Sequence, residues 1–327
     1  MRRALQLKSK QAIEIEPTAP FNFDATFHKP DHFPSADNAW QPGRRWQTML
    51  WQGERLGLAF EDRGTTARPC VRLSVWSAGK LDRACVDGLV AEIEYRYNLK
   101  LDLKEFNRRF RGDPQLGPII GKWRGMRPFS AGSLYEYLIL AIVLQNCTVR
   151  RSVNMLQALY ETYGTPLEYD GRSFYCMWSP EEMDRAAEPE LRALKVGYRA
   201  KTFKRVTAAF AGNRIDEIGL RSRSREEQRS ALLELYGIGP QSVSYILFDV
   251  FHRWDEMDHV SPWEQKIYSK LFFDRDPEKP VSAERLMRLF ARRFGGYRML
   301  AVHYVWEDLF WKRQHAHIGW LEELIRL

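Results

Sequence analysis

The stretch that decides the fold is residues 232–247, LLELYGIGPQSVSYIL. Apolar residues close one amphipathic segment, Gly237-Ile238-Gly239 follows, and a second amphipathic segment begins at Gln241. Glycine reaches positive φ and has no Cβ, so the tripeptide predicts a tight hairpin between two helices, with Ile238 pinned to the core. The backbone N–H groups of Gly237 and Gly239, and that of Ser242 in the first turn of the next helix, can then face a phosphate oxygen. Gly-x-Gly alone is also a common helix terminator, so the flanking segments decide the interpretation.

The charge distribution around this stretch points to a polyanionic partner. The chain has 327 residues and a formal net charge of +8. Residues 192–229 contain eleven Lys or Arg against four acidic residues, which gives this segment +7 and nearly the whole surplus. A concentrated basic surface is typical of proteins that bind nucleic acid. The alternative is a solvated basic face with no ligand.

Several protein classes are disfavoured by composition. The four cysteines form no CxxC pair, so we expect free thiols and neither a zinc nor an iron–sulfur site. The longest strongly apolar run, residues 137–144, is far shorter than a membrane span. The first ten residues are basic, but no apolar segment of a secretory signal follows them. We expect a protein of the cytoplasm, associated with the nucleoid, or of the nucleus, without membrane contact.

The predicted fold class is α+β, with a small antiparallel N-terminal sheet followed by an all-helical body that contains the helix–hairpin–helix. Residues 1–20 are polar, and we expect them to be disordered or loose. Residues 21–100 form the sheet-bearing domain and residues 101–327 the helical domain. Apolar and polar residues alternate in three runs, of which the first two are joined by Gln52-Gly53-Glu54 and predict a hairpin. These runs are residues 45–51, 55–60 and 71–76.

Beyond about residue 81 the apolar spacing becomes three and four residues, which predicts helices. Two helix starts are well marked, because Ser179 and Ser261 are each followed by Pro and, three residues on, by Glu. The predicted helices are residues 103–110, 134–144, 149–163, 180–187, 200–210, 226–236, 241–251, 262–272, 283–294 and 298–314.

Four blocks of sequence together resemble the helix–hairpin–helix (HhH-GPD) DNA glycosylase superfamily. The resemblance covers roughly residues 21–320 and is greatest to the bacterial inducible 3-methyladenine DNA glycosylase and the 8-oxoguanine glycosylases. The hairpin is one block. The other three are residues 142–149 (IVLQNCTV), 191–201 (LRALKVGYRAK) and 298–311 (RMLAVHYVWEDLFW), in the family's order. The resemblance implies a DNA-binding fold that flips the target nucleotide out of the duplex.

The resemblance assigns roles to residues in these blocks. Asn146 corresponds to the side chain that fills the gap left by the flipped base, although a helix cap or buried amide is its ordinary structural role. Tyr245, Trp306 and the adjoining Gln241 correspond to the base pocket, where aromatic faces suit an electron-poor, cationic alkylated purine. A tryptophan at helical spacing is otherwise a core residue. The basic residues of the second block that are expected to contact phosphate are Arg199 and Lys201.

The resemblance fails at two catalytic positions. Family members with lyase activity carry a lysine where this chain has Gln241, so no Schiff base forms from that position and a monofunctional hydrolase is implied. The family's catalytic aspartate aligns without a gap on Ser261, which cannot stabilise positive charge on the sugar. We expect Asp258 to take the catalytic role, with Ser261 and Glu264 as the alternates.

Three hypotheses follow for function. The first is a monofunctional DNA N-glycosylase of base excision repair that excises damaged, alkylated purines. The second is a non-catalytic lesion-binding protein, and the two differ in whether a carboxylate lies beside the pocket. The third is an N-glycosidase acting on RNA or nucleosides. The expected partner is double-stranded DNA with damaged bases, bound by a monomer. No cofactor or metal is expected, apart at most from a structural monovalent cation at the hairpin.

Overall fold

The computed structural model describes residues 3–28 and 35–324. All strands of the described residues precede residue 177. They are β1 (Leu5–Gln6), β2 (Ser9–Ile15), β3 (Asn38–Gln41), β4 (Arg44–Trp51), β5 (Glu54–Asp62), β6 (Val71–Ser77), β7 (Thr165–Tyr169) and β8 (Arg172–Cys176).

The larger sheet is antiparallel, in the order β2-β6-β5-β4-β3. The predicted hairpin is β4–β5, and the predicted third strand is β6, so these expectations are confirmed. Alternate residues of these strands enter one core, in which Leu58, Phe60 and Leu73 are fully buried together with Phe27 and Tyr97. A period of two places such residues on one face, which is why the alternation identified the strands correctly.

Helices occupy most of the remaining chain. They are α1 (Phe23–Phe27), α2 (Arg83–Arg96), α3 (Lys104–Phe110), α4 (Leu116–Lys122), α5 (Leu134–Leu144), α6 (Val149–Tyr163), α7 (Pro180–Asp184), α8 (Glu188–Leu191), α9 (Arg199–Ala211), α10 (Glu217–Arg221), α11 (Arg225–Leu233), α12 (Pro240–Asp249), α13 (Pro262–Phe273), α14 (Ala283–Phe294), α15 (Arg298–His315) and α16 (Gly319–Glu322). The α+β class is confirmed. The capping boxes at Ser179 and Ser261 form as predicted.

The chain divides into two compact units, neither of which is continuous in sequence. The first contains residues 1–105 and 123–215, and the second contains residues 106–122 and 216–327. Both sheets lie in the first unit. The second unit is helical and contains the Gly237–Gly239 hairpin, α13 and α15.

Two sequence-based expectations are wrong. Residues 1–20 are not loose: β2 pairs along its whole length with β6, and β1 pairs in parallel with β7. Backbone pairing fixes these strands although their side chains are largely polar, and the first two residues lie outside the described range. The helical body is also interrupted, because β7 and β8 form a hairpin that joins β1 in a second sheet. The sequence does not predict these strands, because Pro166 is unusual within a strand and the runs of alternating apolar residues are short.

Within the described residues, no helix combines the length and the apolar character needed to cross a membrane.

Candidate nucleic-acid interface and base pocket

The hairpin of the second unit has the predicted form. Helix α11 ends at Leu233, the Ile238 N–H donates to the Leu235 carbonyl at 3.1 Å, and α12 begins at Pro240. Gly237 has φ +78°, a value that L side chains rarely adopt. Ile238 is 5% exposed and points into the core, as predicted.

The outer side of the hairpin is open. A Cβ added at Gly239 would meet nothing within 4 Å, and the φ of −102° is accessible to any residue. Ser242 lies half-buried in the first turn of α12. An anion can therefore approach the Gly239 backbone and the positive end of the α12 dipole without moving a side chain. The turn is closed by its own backbone hydrogen bonds. Binding of a monovalent cation at this turn stays a prediction.

Glu264 is the centre of a hydrogen-bonded cluster beside this hairpin. Tyr245 Oη donates to Glu264 Oε1 at 2.6 Å, and Gln241 Nε2 donates to Oε2 at 3.2 Å. Tyr268 Oη lies 3.3 Å from Oε1. Glu264 is only 4% exposed. A buried carboxylate is stable only when donors replace water, and this cluster supplies them.

Local sequence explains why Glu264 is held in this place. Ser261 is the N-cap of α13, and its backbone N–H donates to Glu264 Oε2 at 2.9 Å. The Glu264 N–H donates in return to Ser261 Oγ at 3.3 Å, which completes the capping box. Ser261 is thus a capping residue, and Glu264 is the acidic side chain at the positive end of the α13 dipole.

The neighbouring phenols are shifted by burial and by this charge. Burial raises the pKa of Tyr245 well above its ordinary value, and the negative charge of Glu264 raises it further. The pKa of Tyr268 is raised for the same two reasons, burial first. Both phenols therefore keep their protons and remain donors to the carboxylate. The Oε1 of Gln241 is buried with no hydrogen-bond partner.

Trp306 joins the same cluster through Tyr268. Its Nε1 donates to Tyr268 Oη at 2.8 Å, and Tyr268 in turn contacts Glu264. The indole is half-buried and stacks on Trp263 at 5.3 Å between ring centroids and 15° between ring planes. Phe310, one turn along α15, also stacks on Trp306 at 5.3 Å. The predicted pocket residues Tyr245, Gln241 and Trp306 are therefore brought together, with Glu264 as the carboxylate among them.

Asp258 is held elsewhere, in an ion-pair network with α11. It pairs closely with Arg225 and lies 3.7 Å from Arg229. The fully buried Glu256 binds the same two guanidinium groups, at 2.8 and 3.2 Å. Ser244 adds a 2.9 Å hydrogen bond to Glu256. This network holds the segment after α12 against α11. The contacts of Asp258 are with these arginines and not with Tyr245, Tyr268 or Trp306.

Most of the basic segment at residues 192–229 is engaged in ion pairs. The pairs are Arg192–Glu188, Lys204–Asp184, Arg221–Glu217, Arg223–Glu227 and the two arginines bound to Glu256. The surplus read from sequence is therefore only partly a free positive surface. Three of these pairs, Arg192–Glu188, Arg221–Glu217 and Arg223–Glu227, join residues that are four apart in sequence.

In the first unit, Asn146 lies at the exposed turn between α5 and α6. Its φ is +47°, and its Nδ2 lies 3.4 Å from the hydroxyl of Tyr198. Tyr198 is 54% exposed, a feature that the sequence pattern does not reveal. Lys201 is also exposed. Such an exposed amide and aromatic pair fits a surface that inserts into a duplex.

Arg199 does not fit the phosphate-binding role expected of it. It is 3% exposed, and its guanidinium donates to the carbonyls of Ile142, at 3.1 Å, and Gln145. These carbonyls lie at the end of α5, where backbone acceptors lack helical partners. The arginine is thus a structural donor that supports the turn carrying Asn146, and the expectation of phosphate contact is corrected.

Lys266 follows Glu264 by two residues in α13, and its amine is paired with Glu278 at 2.6 Å. Within the described ranges, no three His, Cys, Asp or Glu side chains are grouped as metal ligands would be.

Comparisons with known proteins agree with this geometry. No family model matches the sequence. A curated relative, the probable N-glycosylase/DNA lyase of Methanothermobacter thermautotrophicus, is 28% identical over 221 residues, which are 62% of this chain and 68% of the relative. The 3-methyladenine DNA glycosylase of Archaeoglobus fulgidus superposes with a TM-score of 0.73 at 16% identity, over 91% of this chain and 99% of that chain. The apo 8-oxoguanine glycosylase/lyase of Clostridium acetobutylicum gives 0.67 at 16% identity, over 93% and 98%. The chain therefore shares the fold of these DNA glycosylases, in agreement with the resemblance of its sequence blocks.

Proposed function

We propose that this protein is a DNA N-glycosylase of base excision repair that hydrolyses the glycosidic bond of damaged purines without lyase chemistry. The observation that carries the proposal is the buried Glu264 carboxylate, hydrogen-bonded to Tyr245 and connected through Tyr268 to Trp306. It supplies the negative charge that the aligned Ser261 lacks. Solved relatives include the Clostridium acetobutylicum enzyme in complex with double-stranded DNA, which supports a duplex substrate.

DNA binding is assigned to two surfaces. In the second unit, the open Gly239 backbone and the start of α12 bind phosphate through N–H groups. In the first unit, Asn146 and the exposed Tyr198 contact the duplex at the gap left by the flipped nucleotide, and Lys201 contributes positive charge. Phosphate contacts position the duplex, whereas the pocket selects the base.

Cleavage requires stabilisation of positive charge on the sugar. As the C1′–N bond breaks, the base leaves with the bonding electron pair and the sugar becomes oxocarbenium-like; water then adds at C1′ and loses a proton. A carboxylate near the sugar stabilises that charge electrostatically, and this role needs no free lone pair. Glu264 can act in this way even though Tyr245, Gln241 and the Ser261 N–H already donate to it.

Alkylated purines fit this site better than neutral bases. A purine made cationic by N-alkylation leaves as a neutral base, so its departure does not depend on an acid. Its positive charge also favours an electron-rich aromatic face and the nearby carboxylate. The Archaeoglobus fulgidus protein with the same fold is named for 3-methyladenine, a base of this class, which supports the same substrate here.

The test is excision from duplexes that each contain one damaged base, scored with and without alkali. The proposal predicts release of an alkylated purine and strand breaks only after alkali. Release confined to nucleosides or RNA would favour the third hypothesis and contradict this one.

A second candidate function is lesion binding without excision. One observation favours it: Glu264 is 4% exposed and accepts hydrogen bonds from three neutral donors, so the protein already solvates this carboxylate without DNA. A protein that binds lesion-containing duplexes in preference to intact DNA, yet releases no base from any of them, would be this second kind.

A further inference from the structure

Trp263 is an exposed aromatic ring beside the cluster of Glu264, Tyr245, Tyr268 and Trp306, and no sequence block assigns it a role. It stands between Pro262 and Glu264 in the first turn of α13, two residues from Ser261. Its exposed fraction is 39%, although an indole gains free energy by burial. Part of a large aromatic surface beside the hydrogen-bonded cluster of Glu264 is therefore open to a ligand.

The ring is held in a fixed position by two contacts. One is the stacking on Trp306, with the planes only 15° apart. The other is a hydrogen bond of 3.0 Å from its Nε1 to the Leu324 carbonyl. An edge hydrogen bond and a stacked neighbour leave the ring ordered while part of its surface faces solvent. A preorganised face loses little conformational entropy when a ligand stacks on it.

Trp306 is the deeper ring of the pair. Its Nε1 is engaged by Tyr268, Phe310 stacks on it, and it packs against the buried Ile267 and Leu309. A base that arrives from solvent therefore meets Trp263 before it meets Trp306. We propose that Trp263 is the ring on which the extrahelical purine stacks, and so determines the selectivity of the site; this rests on the proposed function.

The chemistry of the surroundings defines the occupant. The face of an indole is electron-rich, and the adjacent residue in sequence, Glu264, brings a carboxylate into the same cluster. Both favour a flat, cationic ring over a neutral one. A purine covers more of the indole than a pyrimidine does. The occupant is therefore a purine carrying positive charge from N-alkylation.

The test compares affinities for two duplexes that differ in one base. One contains a single N7-methylguanine on a 2′-fluorinated sugar, which resists cleavage, and the other contains guanine. Trp263→Ala is expected to lower the preference for the methylated duplex by about tenfold, since stacking on an aromatic ring is worth roughly that factor or more. Its affinity for the guanine duplex should not change. Trp263→Phe, which retains an aromatic face, should keep most of the preference.

The matched control is Ile218→Ala, which removes another exposed apolar side chain, 61% exposed, from the same unit. It should alter neither affinity. If Trp263→Ala retains the full wild-type preference, or loses affinity equally for both duplexes, the inference is overturned. A Trp263→Phe variant that melts like the wild type but has lost the preference also overturns it. If the wild type itself shows no preference, the proposed function fails and this inference fails with it.

Discussion

The hydroxyl of Tyr245 on α12 donates a 2.6 Å hydrogen bond to the carboxylate of Glu264 on α13. This bond connects the aromatic cluster to the buried carboxylate. Tyr245→Phe keeps the ring and removes the donor. Because a hydrogen bond to a charged group contributes about 1.5–3 kcal/mol, we expect excision to slow by at least tenfold while lesion affinity changes little. Single-turnover excision and a binding titration measure the two effects. Equal loss of both would show that Tyr245 supports the fold instead.

Gly239 provides a test of phosphate binding by the hairpin. An added methyl group there meets no protein atom within 4 Å, so Gly239→Ala should fold normally, yet it occupies the space through which phosphate approaches. We expect weaker binding to every duplex, lesion-bearing or intact. Gly121→Ala, also in open space and in the same unit, is the control and should bind as the wild type does. Wild-type affinity should also fall steeply with salt. Unchanged affinity of Gly239→Ala would exclude the hairpin as the phosphate site.

The absence of lyase chemistry follows from Gln241. Its side-chain amide donates to Glu264 and offers no amine to form a Schiff base. Borohydride treatment of the protein with lesion-bearing DNA should therefore trap no covalent adduct. A robust adduct would contradict this prediction. If the adduct formed with the wild type and did not form with Lys266→Ala, Lys266 would be the amine, released from its ion pair with Glu278.

His252 makes stability depend on pH. Burial, and then the charges of Arg221 and Arg253, lower the pKa of His252 to about 3. The folded protein keeps this imidazole neutral, whereas the unfolded chain protonates it below about pH 6.5, so the free energy of unfolding falls as pH falls from 6.5 toward 3. The contribution is at most about 1.4 kcal/mol per pH unit.

The comparison for His252 is His252→Asn, chosen because the φ of +57° at this position suits asparagine. Denaturant unfolding of both proteins at several pH values measures the difference. The variant should lose less stability than the wild type between pH 6.5 and 3. Parallel curves would show that His252 is accessible to protons in the folded state.

Sequence patterns identified the elements whose signals are local. The Gly237–Gly239 hairpin and the Ser261 cap follow from backbone chemistry within a few residues, and both form as predicted. The pairing of β1 with β7 joins Leu5 to Leu167, and no local pattern encodes a contact over that separation.

The same limit applies to the candidate site. Asp258 and Glu264 are both acidic residues near the aligned Ser261, and sequence alone favoured Asp258. The structure pairs Asp258 with Arg225 on another helix, a partner invisible at the level of motifs. The sequence indicates a capping role for Glu264, and its additional hydrogen bond from Tyr245 makes it the carboxylate of the aromatic cluster.

The central claim is that Glu264 supplies the charge for cleavage and Asp258 does not. The most direct measurement is single-turnover release of an alkylated purine from duplex DNA by the wild type, Glu264→Gln and Asp258→Asn, with melting temperatures and lesion affinities recorded for all three. Glutamine preserves the shape of the side chain and removes its charge. We predict that Glu264→Gln binds lesions but releases no base, whereas Asp258→Asn releases base at close to the wild-type rate. Full activity of Glu264→Gln together with an inactive, folded Asp258→Asn would contradict the account.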